Sequence, residues 1–413
     1  MHEAVKNGTY DVARVRKDFP ILDLEIEGKP LIYFDNAASA QKPTAVLDRV
    51  QTAYTSEYAN VHRGLHHLSN VATEAYEGAR ARVAQFLNAE RNEEIVFTRS
   101  ATEAINLVAS TFGRDCIMPG DEIVLSIMEH HANIVPWHFL REHYGAVLKW
   151  APVDDEGNFL IDEFEKLLTD RTKMVAITQM SNVLGTVVPV KEVTRIAHAR
   201  GIPVLVDGAQ GSVHLDVDVQ DIDCDFYVIT GHKLYGPTGI GALYGKYEHL
   251  AAMAPFNGGG EMIREVFQET VTYGEPPHKF EAGTPPIVQA IGLHAALDYI
   301  DSIGKSRIRA HEAELLRYAQ DRLREINSLR IIGNAEDKGA IISFEMKEGH
   351  PHDYATLINK SGVAVRAGTH CAMPLLERFG VAATCRASFG LYNTKAEVDA
   401  FVTALGRVQA LFA

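Results

Sequence analysis

Asp225-Phe226-Tyr227-Val228-Ile229-Thr230-Gly231-His232-Lys233-Leu234-Tyr235-Gly236 sets a lysine in a glycine-flanked loop just past an apolar strand. Upstream, Val204-Leu205-Val206 reads as a second buried strand and ends in Asp207-Gly208-Ala209-Gln210. A carboxylate closing a hydrophobic strand is costly unless it gains a partner. One strand-sized unit separates Asp207 from Lys233, so both can stand at the carboxyl ends of neighbouring parallel strands. Open α/β sheets bind ligands at those ends.

Outward from this stretch, short β-branched runs alternate with amphipathic segments. Strands are expected at 94–97, 122–126, 146–151, 173–178, 204–207 and 226–230, with helices near 102–111, 134–143, 161–168 and 190–199. Such alternation argues for parallel strands joined by crossover helices. A run at 240–244, after a Gly-Pro-x-Gly turn, suggests an antiparallel strand. The pattern changes after about residue 285. Helices are expected at 286–300, 306–326 and 353–360, with strands at 329–332, 340–346, 363–367 and 385–391. A closing helix at 394–411 carries Val398, Phe401, Leu405, Val408 and Leu411 on one face. The expected fold class is α/β: a large, mostly parallel-sheet domain over residues 27–300, and a smaller α+β domain from 1–26 and 301–413. A length of 413 residues suits two such units.

The chain is 46% hydrophobic and 23% charged, which excludes bulk disorder. Forty Lys+Arg against 54 Asp+Glu leave a net charge of −14, the wrong sign for a nucleic-acid binder. No apolar run has membrane-spanning length, and residues 1–18 lack the apolar stretch of a signal peptide. A cytoplasmic protein with no membrane association is expected. The four cysteines, Cys116, Cys224, Cys371 and Cys385, form no CxxC, and there is no HExxH. Neither a metal site nor a disulfide framework is expected.

The Asp207–Lys233 pair is what a pyridoxal phosphate site needs. The cofactor's aldehyde requires a lysine amine, and its ring nitrogen requires a carboxylate to stay protonated as an electron sink. Gln210 lies where it could meet the ring hydroxyl. Thr98-Arg99-Ser100-Ala101-Thr102-Glu103 follows a strand and opens a helix, and Ser100 with Glu103 has capping-box spacing. Free N–H groups at such a helix start attract a phosphate. Thr230 and His232 add donors beside the lysine. His130 and His131 follow the strand at 122–126, where a flat imidazole could stack on the pyridine ring.

At these residues the chain resembles the fold-type I pyridoxal-phosphate enzymes, and more narrowly the type II cysteine desulfurases of the Suf pathway. The matching pieces run from about residue 15 to 410: Tyr33 to Ala38, Asn60 to Gly64, Thr98 to Asn106, Met128 to Trp137, Asp207 to Gln210, Thr230 to Gly236, Phe256 to Met262, Phe280 to Pro285, and Arg366 to Pro374. The resemblance implies that Lys233 carries the cofactor aldehyde, Asp207 the ring nitrogen and Gln210 the ring hydroxyl, while His130 stacks on the ring. Ala101, Thr102, Thr230 and His232 would form the phosphate site. Thr284 would reach the phosphate of the opposite subunit of a homodimer. Arg386 would hold the substrate carboxylate, with Asn182, Arg366 and His62 alongside.

Cys371 decides the narrower resemblance. In Arg366-Ala367-Gly368-Thr369-His370-Cys371-Ala372 it occupies a short loop, and in that family this cysteine takes sulfur from the substrate. Thiolate is the reactive species, and His370 and Arg366 are candidates to favour it. The implied reaction converts L-cysteine to L-alanine, leaves a persulfide on Cys371 and passes its sulfur to a SufE-like or SufU-like acceptor protein for iron–sulfur cluster assembly. His130 is a candidate proton donor or acceptor. A selenocysteine lyase or a kynureninase-like hydrolase is the alternative on the same scaffold. Two positions depart from the family pattern. Thr369 stands where a histidine is usual, and Ala101 where a hydroxyl residue is common.

Overall fold

The computed structural model describes residues 1–6 and 8–412. Its main sheet has seven strands in the order Ile95–Thr98, Gly241–Gly245, Phe226–Thr230, Val204–Asp207, Thr172–Thr178, Glu122–Ser126, Val147–Ala151. The last five are mutually parallel, and Gly241–Gly245 runs antiparallel to both its neighbours, as its turn suggested. Helices cover both faces, so the strands read as unbroken apolar runs. Alternate residues divide between two cores. Val204, Val206, Tyr227 and Ile229 face one; Leu205, Phe226 and Val228 face the other.

The smaller unit is a four-stranded antiparallel sheet in the order Leu329–Ile332, Ile341–Met346, Thr384–Ser388, Arg366–Gly368. Helices Lys305–Arg324, Pro351–Asn359 and Lys395–Phe412 pack on it. The strand expected at 363–367 divides in two. Val363–Ala364 pairs in parallel with Ile32–Tyr33, and Arg366–Gly368 joins the small sheet.

The N-terminal segment packs largely outside the small sheet. Val5, Val15, Phe19 and Leu22 bury in the same core as Val204 and Ile229, not in the small unit. Phe19 packs edge-on against Tyr235, Tyr299 and Tyr392. Conversely Ile32 and Phe34, placed in the large domain by the sequence, bury with the small sheet.

In chain order the sheet steps outward from Glu122–Ser126 to Val147–Ala151, then returns and continues the other way from Thr172–Thr178. The reversal between Glu122–Ser126 and Thr172–Thr178 opens a crevice at the strands' carboxyl ends. The small sheet leans its Arg366–Gly368 edge over that crevice.

Candidate active site

A cavity of about 780 Å³ fills the crevice. From the large unit it is lined by Ser100, Ala101 and Thr102, by His130, by Asn182, by Asp207 and Gln210, and by Thr230, His232 and Lys233. Each group follows a different strand of the large sheet. Arg366, His370, Cys371 and Arg386 close it from the small unit.

Lys233 is half-buried and lines the cavity. Burial pushes its amine down to about 8, with Asp207 and Cys371 pulling the other way. The Asp207 carboxyl is buried and pushed up by desolvation, and Oδ1 accepts one N–H, from Ala209 at 2.9 Å. A buried carboxylate so sparsely satisfied suits a cationic partner. Gln210 spends one N–H on the Ala37 carbonyl at 2.7 Å and keeps the other for the cavity. The Thr230 hydroxyl is buried with no hydrogen-bond partner among the described residues.

The helix start at Ala101 departs in one arm from the expected capping box. Ser100 Oγ accepts the Glu103 N–H at 3.3 Å, but Glu103 reaches back to the Arg99 N–H at 2.5 Å instead of to Ser100. The N–H groups of Ala101 and Thr102 are left at the cavity wall, as an anion site requires.

His130 is buried enough that its imidazole titrates near 3, so it is neutral. Its Nδ1 accepts the Ala132 N–H at 3.0 Å, which places the proton on Nε2. Behind it, Glu129 is completely buried and pushed up to about 8 by desolvation. Glu129 accepts from Ser126 Oγ, Asn133 Nδ2 and the Thr178 N–H, tying neighbouring strand ends together.

Arg366 and Arg386 are direct register partners on adjacent antiparallel strands. Like charges so placed repel, and Asp35 answers both: Arg366 donates to it at 2.8 Å and Arg386 at 3.4 Å. Arg386 Nη1 also donates to the Asn182 carbonyl at 2.9 Å. Its buried Nε has no partner among the described residues, which leaves a donor for a carboxylate.

Cys371 is exposed, whereas Cys224 and Cys385 are buried and Cys116 is half-buried. Burial pushes the thiols of Cys116 and Cys385 up to about 11 and 12, and that of Cys224 higher still. The loop is strained: His370 and Cys371 both adopt left-handed backbone, with φ of 51° and 54°. Such residues cost about 1–3 kcal/mol each unless glycine. His370 does not supply the positive charge expected of it. Burial lowers its pKa to about 3, and its ring Nε2 faces Thr384 Oγ1 at 2.8 Å.

Two expected residues lie elsewhere. His62 lines a separate cavity with Arg63, Glu261 and His278, and Thr284 lines a third with Thr98 and Arg99. Among the described residues, His62, Glu77 and His278 bring possible ligand atoms within 4.8 Å. Arg80, however, already donates to both Glu77 oxygens, at 2.8 and 3.2 Å, and to Glu281 at 2.6 Å. That makes the cluster part of an ion-pair network.

The aminotransferase class-V family model matches residues 32–401. The chain belongs to this family. A cysteine desulfurase from Dickeya dadantii is 52% identical over 403 residues, covering 97% of this chain and 98% of that one. One from Pectobacterium atrosepticum is 49% identical over 404 residues, covering 98% and 99%. The crystal structure of the cysteine desulfurase CsdA from Escherichia coli, in an S-sulfonic acid form, superposes with a TM-score of 0.91 at 41% identity, covering 98% and 100%. The architecture is the fold-type I fold of pyridoxal-phosphate-dependent transferases.

For a class-V enzyme the residues present fit pyridoxal phosphate. Lys233 is a depressed amine, Asp207 an under-satisfied carboxylate, and Thr230 an orphaned hydroxyl beside free helix N–H groups. Sequence reasoning missed His350 and His352, which line the cavity mouth around helix residue Pro351, and Asp35 between the arginines. Each contacts the site across a long sequence separation, which no local pattern reveals.

Proposed function

We propose that the chain is a pyridoxal-phosphate-dependent cysteine desulfurase that converts L-cysteine to L-alanine and keeps the sulfur as a persulfide on Cys371. One observation carries this reading. An exposed cysteine on a strained loop lines the same cavity as a depressed lysine, a buried aspartate and a buried arginine with a free donor.

When bound, pyridoxal phosphate supplies the electron sink that acidifies the substrate's α-carbon. Lys233 would hold the cofactor aldehyde, and its amine in the neutral form would take the substrate's α-proton and return it. Asp207 holds the proton on the ring nitrogen. Gln210 would meet the ring hydroxyl, and His130, with its Nε2–H as donor, would pack on the ring face. Ala101 and Thr102 N–H groups, Thr230 and His232 hold the phosphate. Arg386 grips the substrate carboxylate beside Asn182, and Arg366 is held next to it by Asp35. The Cys371 thiolate then attacks the substrate sulfur. An S–S bond forms, the C–S bond breaks, and the electron pair left on carbon takes a proton to give alanine.

The reading extends to a cytoplasmic homodimer of the type II, Suf-pathway kind, in which Thr284 serves the partner's phosphate site. A SufE-like or SufU-like protein receives the sulfur for iron–sulfur cluster assembly. The short Cys371 loop supports this, since it keeps the sulfur near the cavity mouth and leaves delivery to a docked acceptor.

The deciding experiment incubates the protein with L-cysteine and no reductant, then maps added sulfur by peptide mass. Sulfur on the Cys371 peptide with stoichiometric alanine is the expected result. Alanine formation with no sulfur on Cys371 would refute the reading.

A further inference from the structure

His131 adjoins the cavity residue His130 but does not itself line the cavity. It touches the cysteine loop twice. Its backbone N–H donates to the Cys371 carbonyl at 2.6 Å, and its ring Nε2 accepts the Met373 N–H at 3.2 Å. The two bonds bracket the nucleophile: one grips Cys371 itself, the other the first residue of helix Met373–Arg378. An accepting Nε2 fixes the ring as the neutral Nδ1–H tautomer, and burial lowers the pKa of this imidazole, favouring that form.

The grip matters because of the left-handed backbone at His370 and Cys371. Side chains other than glycine persist there only where their surroundings over-determine the conformation. Among hydrogen bonds from the large unit, those that do so are the pair from His131 and the Asn182 Nδ2–H bond to the His370 carbonyl at 2.8 Å, while Ala372, Leu375 and Leu376 just past the nucleophile bury in the large unit's core. Within the small unit, the Ala372 N–H bond to Thr369 and the His370 ring on Thr384 hold the loop's own shape. They do not dock it against the cavity.

We propose that His131 is a positioning residue: its ring acceptor on Met373, with its backbone donor on Cys371, docks the strained loop onto the large unit and aims the thiol at the substrate sulfur. The inference rests on the reading of Cys371 as the nucleophile. His131 touches neither cofactor nor substrate and acts only through the loop. Losing the ring acceptor lets the loop relax away from the attacking position. The cofactor and carboxylate sites, built on other strand ends, stay in place.

The test uses the cofactor-loaded enzyme. His131→Leu keeps bulk and removes the acceptor; His131→Gln keeps an acceptor oxygen. Two rates are read: single-turnover persulfide formation on Cys371, and alkylation of Cys371 by iodoacetamide without substrate. The leucine variant should bind cofactor and cysteine like the parent, yet form persulfide on the order of ten- to a hundredfold more slowly, the cost of a misplaced reacting atom. Its Cys371 should alkylate faster, and glutamine should restore both rates toward the parent. Parental rates for both measurements in the leucine variant would overturn the proposal, as would a glutamine variant impaired as much as leucine. Should leucine fail to fold, the glutamine variant decides alone: parental rates support the role and impaired ones end it. A wild type that gains no sulfur on Cys371 defeats the desulfurase reading instead. The alkylation comparison needs no turnover and still judges His131.

Discussion

Lys233 sits among groups that pull its proton in opposite directions. Burial and Arg386 favour the neutral amine, Asp207 and Cys371 the ammonium, and the balance falls at about 8. Capture of the cofactor aldehyde needs the neutral amine. With the pKa lowered, the ammonium is lost as pH rises through about 8, well below the range of an ordinary lysine near 10.4. Cofactor-free protein mixed with pyridoxal phosphate should therefore gain its visible band faster from pH 6.5 upward and level off above about 8.5. A rate still climbing toward pH 10.5 would contradict this environment for Lys233. At Cys371 the expectation is a change in kind. Cys371→Ser removes the soft nucleophile, so cofactor and cysteine still bind while alanine release falls to background; Cys224→Ser, at a buried site, retains activity. Assayed alanine from Cys371→Ser at the parental rate would sink the mechanism. That Lys233, Asp207 and Cys371 share one cavity could be anticipated because each breaks a local rule, a charge or thiol in a glycine-rich loop or at the end of an apolar strand. His370 misled: adjacency suggested a cation beside the thiol, but the αL backbone turns its ring toward Thr384.

At the scale of elements, Gly241 shows how strand packing builds the phosphate cradle. A Cβ there would lie 2.7 Å from the Ile229 carbonyl oxygen and 2.8 to 3.0 Å from Ser100 backbone atoms. These are backbone atoms and cannot swing aside. Gly241→Ala must therefore displace the helix start at Ala101 or part the strand from Phe226–Thr230. Such overpacking costs about 1–3 kcal/mol. The expected outcome is a lower unfolding midpoint and weaker cofactor retention on dialysis, and unchanged retention would show that the Ser100 turn does not hold phosphate. The strands at 122–126, 204–207, 226–230 and 329–332 were legible to the residue, because their apolar runs stop at polar or glycine residues. Helix His67–Leu87 was not. Two residues of its buried face are Arg80 and Arg82, paired with Glu281, Asp298 and Asp301, so its apolar stripe is interrupted where it packs. The hairpin of Ile263–Val266 and Val271–Tyr273 escaped for the opposite reason: it packs almost nothing, so no buried-and-exposed alternation marks it.

Across the whole molecule, Leu65 is fully exposed, and Phe267, Val266, Tyr54 and Tyr58 are each at least half exposed. Apolar side chains scattered over a surface in this number are ordinary, so the proposed homodimer needs a test of its own. The proposed homodimer adds a chemical requirement, because Thr284 lines a different cavity from Lys233 within one chain. If Thr284 completes the partner's phosphate site, each site draws residues from both chains, and the subunits can complement one another. Lys233→Ala abolishes the site in its own chain but still lends a sound Thr284 to its partner. Thr284→Ala keeps Lys233 but lends its partner nothing. Mixed and allowed to exchange, the two variants form heterodimers in which one site holds both Lys233 and Thr284. With random pairing about a quarter of all sites are restored. Alanine release from L-cysteine should then rise on exchange above the sum of the separate variants, alongside tighter retention of cofactor. No rise, with exchange verified by native mass spectrometry, would place Thr284 in service of its own chain and remove the main reason for a shared site.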